Sequence, residues 1–236
     1  MRILSLECAS VSASAALTDD DKLLGESFLA TALKHSRTLM PMTEALLSVS
    51  ETPISSVDLF AVTVGPGSFT GVRIGVAATK GMADAAGKPC FPVSALEAAA
   101  YPFLETSETV CAVMDARCMQ VYTALFQNGE RRTPDEALTI EALGERLGQI
   151  PGQILLVGDG TELVYKTLQE KLGERLMTAP AQLRLPRASS VAFLARAHMA
   201  HGEAPVEATK LSPVYLRLPQ AQRELNKKTK QKEQTV

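Results

Sequence analysis

The 236-residue chain is 46% apolar and 21% charged, has no Trp, and sets 24 Lys and Arg against 26 Asp and Glu. That length suits one large domain or two lobes with proper cores. The near-neutral balance excludes a global field that draws in nucleic acid, and no run of about 18 apolar residues is present to span a membrane. The start, Met1 to Leu17, superficially resembles a signal peptide, but Glu7 interrupts the apolar run, so a cytoplasmic protein is expected. The four cysteines, Cys8, Cys90, Cys111 and Cys118, form no CxxC pair and read as reduced, buried, small apolar residues.

Arg2 to Leu17 reads as a hairpin that turns at Glu7-Cys8-Ala9-Ser10, and Lys22 to Phe28 continues it as a third strand. Glu7 then sits solvated at the tip or faces a ligand together with Ser10. Leu39, Met42, Leu46 and Leu47 form an apolar stripe at helical spacing. Pro41 fits only a first turn, so the helix is expected to start near Thr38 or to kink. His35 beside it reads as a polar residue at a helix entrance.

The centre of the sequence is Gly65 to Gly75, GPGSFTGVRIG. An apolar strand, Leu59 to Val64, leads in, and a helix, Val72 to Ala86, leads out. Thr70 is the expected cap, Gly87 the expected C-terminal stop, and Pro89 blocks continuation. The helix is rich in small residues. Gly75 and Gly81 inside it cost about 1 kcal/mol each against Ala, which asks for a packing reason. Either the helix lies close on its own sheet, or it pairs with a helix of another subunit. Nucleotide-loop motifs do not fit. No Lys-Ser/Thr follows for a P-loop, the third Gly is one residue late for a dinucleotide fingerprint, and GxSxG is absent.

Ser94 and Glu97 form a capping-box pattern opening a short helix, and residues 102–108 read as a lobe boundary. The second half starts with strand, Asp115-Ala116-Arg117 turn, strand, then the Asn128-Gly129 hairpin signal. Thr139 to Leu147 reads as helix. Gln153 to Val157 is a strand ending in Gly158-Asp159-Gly160, followed by helix Glu162 to Leu172. The helix start behind Gly158 and Gly160 could favour an anion, but Asp159 puts negative charge there. Ala188 to His201 is the last strong helix, with Ser189 or Ser190 as cap. His198 and His201 lie one turn apart, yet a metal pair is not expected of them. Residues 219–236 form a basic, apolar-poor tail expected to be disordered.

Six pieces in order, ILSLECASVSASAAL, HSRTLMPMTEALL, GPGSFTGVRIG, MDARCMQVY, VGDG and SPVYLR, closely resemble the TsaB (YeaZ) family of tRNA threonylcarbamoyladenosine biosynthesis. The resemblance implies an α/β, two-lobed actin-like ATPase fold (ribonuclease H-like), with an N-terminal lobe over 1–106 and a C-terminal lobe over 107–218. It also implies a paralogue of TsaD, the catalytic subunit. The metal-binding HxxxH of TsaD falls here on Ala95 and Ala99, so no metal, no cofactor and no catalytic residue are expected. The first turn of the family usually reads like DTS. Here Glu7-Cys8-Ala9 keeps the carboxylate and loses the hydroxyls, which leaves Glu7, Ser10, Gly158 and Gly160 as a weak nucleotide-binding set.

The family role is a scaffold and activator that pairs with TsaD through two helices and is joined by TsaE. The implied pairing residues are Leu39, Met42 and Leu46 on the first helix and Gly71, Val72, Ile74, Gly75, Ala78 and Met82 on the second. The same surface implies a homodimer, and tRNA is met only within the complex. The alternatives are a stand-alone actin-like nucleotide-binding enzyme and a peptidase directed at TsaD.

Overall fold

The computed structural model describes residues 1–31, 33–106 and 108–217; the tail over 219–236 lies outside the described residues. Strands β1 (Arg2–Glu7), β2 (Ala13–Asp19) and β3 (Lys22–Leu29) form an antiparallel meander, with Glu7 opposite Ser14 at its tip. Helix α1 (His35–Val49), strand β4 (Leu59–Gly65), helix α2 (Phe69–Ala86), strand β5 (Cys90–Ser94) and short helix α3 (Ala95–Ala100) follow. β4 pairs parallel with β1, and β5 with β4, giving the order β3-β2-β1-β4-β5. A second sheet repeats that plan. It contains β6 (Thr109–Asp115), β7 (Gln120–Gln127), β8 (Glu130–Arg131), β9 (Glu136–Thr139), β10 (Ile154–Val157) and β11 (Leu176–Thr178). Its order is β11-β10-β6-β7-β8, with β9 also on β7. Helices α4 (Ile140–Gln149), α5 (Thr161–Leu172) and α6 (Ala188–Ala200) complete the described elements.

Period-two alternation divides the core. Leu4 and Leu6 of β1 join Leu39, Leu46, Val72, Val76 and Met82 from α1 and α2 on one face of the first sheet. Ile3 of β1, Leu59 and Ala61 of β4 and Phe91 and Val93 of β5 meet Val191, Ala192, Leu194 and Ala195 of α6 on the other. Strands covered on both faces read as near-continuous apolar runs, as β4 does. Helix α6 comes late in the chain and yet covers the first sheet. On the second sheet, Cys111 and Val113 of β6, Val121 of β7, and Ile154 and Leu156 of β10 pack on α4 and α5. The opposite face, with Met114, Ala124 and Phe126, packs with Ala95, Leu96 and Ala99 of α3.

Several helix starts differ from the local patterns. α2 is capped by Ser68, whose Oγ accepts from Gly71 N at 3.2 Å, and not by Thr70, which lies within the first turn. Its end is as expected, with Gly87 left-handed at φ 62°. α1 begins at His35, so Pro41 lies beyond the first turn. Both Pro41 and Arg37, whose carbonyl loses its helical donor, are exposed to solvent. The start of α6 is satisfied neither by Ser189 Oγ nor by Ser190. Its amides at Ala188 and Ser189 donate to Ser14 Oγ (2.9 Å) and Glu26 Oε1 (3.0 Å), which come from the strands underneath. A Glu at a helix N-terminus also suits the dipole.

Candidate functional site: the cleft and the two-helix face

A cleft of about 470 Å³ opens where the ends of β1, β4 and β6 meet. Its walls are the β1–β2 turn (Ala9, Ser10, Val11), the Pro66–Phe69 turn, the Asp115–Arg117 turn, Asp159 and a C-terminal strap, Val214–Arg217. The glycines here permit close approach. A side chain at Gly67 would collide with the Ala9 carbonyl, and one at Gly71 with the Cys8 carbonyl. His35 braces the same turn through Nε2 and the Ser10 carbonyl at 3.0 Å.

Glu7 is fully buried, which corrects the reading of a solvated carboxylate at a hairpin tip. The turn folds back over it, and Oε1 accepts from Ala9 N at 2.7 Å while Oε2 has no partner among the described residues. Burial pushes this carboxyl well above the usual range, and the nearby Asp159 adds to the effect. Ser10 and Ser12 share a hydroxyl bond at 2.8 Å. Gly158, at φ 97°, donates its N–H to the Arg184 carbonyl (2.6 Å), and Gly160 donates to the Val113 carbonyl (3.1 Å). The two glycines therefore seat the turn on β6, and their amides are already engaged within the fold. Asp159 accepts from Asp115 N at 3.0 Å. Its carboxyl is pushed up to about 6, first by burial and then by Asp115. Asp115 in turn accepts from Arg117 N (2.7 Å) and pairs with the Arg117 guanidinium (3.0 Å), bracing the turn.

The helix residues implied for pairing separate into two groups. Leu39, Leu46, Gly71, Val72, Gly75 and Met82 are buried in this chain's own core. A Cβ at Gly75 would lie 2.8 Å from Cys8 Sγ and 3.3 Å from Val62 Cγ2, so this glycine serves the packing of α2 on its own sheet. Met42, Ile74 and Ala78 are half-buried and lie toward the outer side. Beside them, Met40, Ala77 and Gly81 are exposed, and none of the described residues lies within 4 Å of a Cβ built at Gly81. Helical phase was the signal for this split. Residues 71, 72, 75, 76, 79, 82 and 83 form one stripe, and 74, 77, 78 and 81 the other.

Other residues singled out in the sequence have structural partners. His198 bonds Glu97 (3.0 Å) and Glu203 (2.6 Å), while His201 bonds the Ala197 carbonyl, so the two imidazoles do not converge. Glu97 does not close a reciprocal capping box; it pairs with Arg131 at 2.9 Å, although Ser94 Oγ does accept from Glu97 N. Ala95 and Ala99 are buried in the core. Three cysteines are buried, but Cys118 is exposed in the turn after β6, which corrects the uniform reading.

The closing piece SPVYLR was singled out in the sequence, but its role as a strap was not. Val214 N donates to the Val64 carbonyl at 2.7 Å, and a side chain at Gly65 would meet the Val214 carbonyl at 2.6 Å. Tyr215 stacks on Phe69 (centroids 4.6 Å apart) and accepts from Arg73 Nε at 2.8 Å. Arg217 donates to the Ala116 carbonyl. The strap thus ties the first sheet to the Asp115–Arg117 turn.

This architecture matches proteins of the actin-like ATPase type. Component A of (R)-2-hydroxyglutaryl-CoA dehydratase from Acidaminococcus fermentans gives a TM-score of 0.52 at 14% identity, a likeness of fold alone. YeaZ from Pseudomonas aeruginosa gives 0.73 at 30% identity, covering 91% of this chain and 99% of that one. The tRNA threonylcarbamoyladenosine biosynthesis protein TsaB of Bacillus subtilis is 31% identical, over 94% of this chain and 96% of its own. The Escherichia coli protein of the same name is 32% identical, over 92% and 95%. The family model described as TsaD, tRNA N6-adenosine threonylcarbamoyltransferase, matches residues 29–225. With the two-sheet fold and relatives similar over nearly their whole length, the chain belongs to the TsaB (YeaZ) family.

Proposed function

We propose that this chain serves tRNA threonylcarbamoyladenosine biosynthesis as a non-catalytic subunit that pairs with and activates a TsaD-type transferase. The observation that carries this reading is the outer face of α1 and α2. It presents Met40, Ala77 and Gly81, which are exposed, beside Met42, Ile74 and Ala78, which are half-buried at the edge of the core, all apolar or small residues. Small side chains let a second pair of helices approach closely, and apolar ones supply the burial. A homodimer would use the same face in the absence of the partner. A TsaE-type protein joins the pair, and binding orders the active site of the transferase by shifting its population. The packing of Ala95 and Ala99 into the core supports a subunit that supplies no metal ligand there. The engaged amides of Gly158 and Gly160 weigh against a stand-alone nucleotide enzyme.

The test is co-elution with the transferase subunit, using wild type beside Gly81→Trp. The Trp has open space around it, so the fold should stand, while pairing should weaken at least tenfold. Undiminished pairing would move the interface off α2. A transferase that modifies tRNA equally well without this chain would sink the activating role.

A further inference from the structure

We propose that the C-terminal strap is a latch over the cleft, held shut from α2, so that a protein docked on the outer face of that helix also tightens the closure of the cleft. The docked protein is the transferase of the subunit reading above, on which this coupling rests. Two cations of α2 grip the strap and the residues leading into it at separate points. Lys80 Nζ donates to the Thr209 carbonyl (3.2 Å) and the Leu211 carbonyl (3.1 Å). Arg73 Nε donates to the Tyr215 hydroxyl (2.8 Å), and its guanidinium lies 3.9 Å over the Phe69 ring on which Tyr215 stacks. Positions 73, 77 and 80 share one side of a helix, so the two grips bracket Ala77, an exposed residue of the docking face.

The strap is built to open locally. Leu211 anchors it in the core, but beyond that point Val214 and Tyr215 are 50% and 41% exposed. Among the described residues, one backbone hydrogen bond, from Val214 N to the Val64 carbonyl, holds its middle, and Arg217 on the Ala116 carbonyl holds its end. Segments with so few buried contacts open at a small fraction of the global unfolding cost. From Val214 to Arg217 the strap also lines the cleft and crosses from the first sheet to the second, so its release opens one wall. A helix pair seated over Ala77 and Gly81 lies against the side chains of Arg73 and Lys80 and displaces water that competes for their bonds. Charge-assisted hydrogen bonds strengthen as the local dielectric falls. Docking therefore favours the latched state, and by reciprocity the latched state favours docking.

The test is hydrogen exchange of the full chain, read by mass spectrometry on peptides across residues 212–217, alone and with saturating TsaD-type transferase subunit. Arg73→Gln should speed exchange of the free strap about tenfold, as loss of a charge-assisted bond does. Peptides of β4 that keep their wild-type rate show that the variant folds. Docking should slow the wild-type strap about tenfold and leave the Arg73→Gln strap at its free rate. Lys80→Gln, at the other grip, serves the same purpose where Arg73→Gln pairs too weakly to saturate. A free strap as slow in the variants as in wild type overturns the latch. A wild-type strap that docking leaves unchanged overturns the coupling, and so does an equal slowing in the variant, which would mean direct shielding. Co-elution is measured separately. A wild-type chain that does not pair defeats the subunit reading alone, and the free-chain rates still decide the latch. A chain that pairs while its strap ignores Arg73 and Lys80 defeats the latch alone.

Discussion

At the scale of single residues, glycine and buried carboxylates govern this site. Gly75 and Gly81 are six residues apart on α2 and have opposite surroundings. Gly81→Ala has free space and an ordinary helical backbone, so it should stabilise the chain by about 0.5–1 kcal/mol. Gly75→Val must displace Cys8 Sγ or Val62, and should cost about 1–3 kcal/mol. Urea denaturation of the two variants checks both signs. Asp159 gives a pH test. Its carboxyl is raised from 3.8 to about 6, so the native state binds more protons than the unfolded state between those values. Stability is therefore full below about pH 4 and falls as pH rises through about 6, by an amount on the order of 2–3 kcal/mol. Asn keeps an acceptor for Asp115 N and removes the charge. Asp159→Asn should flatten the fall across that window in denaturation curves taken from about pH 4 to about 7.5. A slope unchanged in the variant would assign it to another group, with Glu7 first in line.

Among the elements, local chemistry was legible and long-range packing was not. The strand, glycine turn and helix from Leu59 to Ala86 stood out because each signal lies within a few residues of the feature it governs. The Gly87 stop was readable for the same reason. The caps of α6 were not readable. Glu26 and Ser14 lie more than 150 residues away in sequence, and only the folded first sheet brings them under that helix. Glu26→Ala should thus destabilise the chain by about 1–2 kcal/mol, as removal of a helix cap does. It also leaves Arg187 without its carboxylate partner. Thermal unfolding reads the result, and no change would mean that solvent replaces the cap. Glu7 escaped the sequence for a related reason. A carboxylate at a turn looks solvated until the turn is seen to close over it. The pairing helices were legible as helices, but small-residue composition alone mixed the inner and outer stripes.

In the whole molecule, two devices hold the sheets together. One is the strap. The other is a charged cluster in which Arg131 of β8 pairs with Glu97 of α3 at 2.9 Å and Asp135 at 2.5 Å, while Glu97 also meets His198 of α6. The Arg131 and Glu97 side chains are 29% and 15% exposed. Arg131→Ala should therefore cost about 1–3 kcal/mol, below the figure for a fully buried pair because solvent screens part of the charge. A double-mutant cycle with Glu97→Ala would isolate the coupling, and additive effects would show that the cluster does not act as a unit.

The late position of α6 governs how the chain can be made. Synthesis proceeds from the N-terminus, so β1, β4 and β5 emerge long before residues 188–200 exist to cover Ile3, Leu59, Ala61, Phe91 and Val93. A nascent chain halted near residue 106 would show that apolar face to solvent and its neighbours. The first sheet, though first in the message, is completed only after α6 and then the strap over Gly65 have been made.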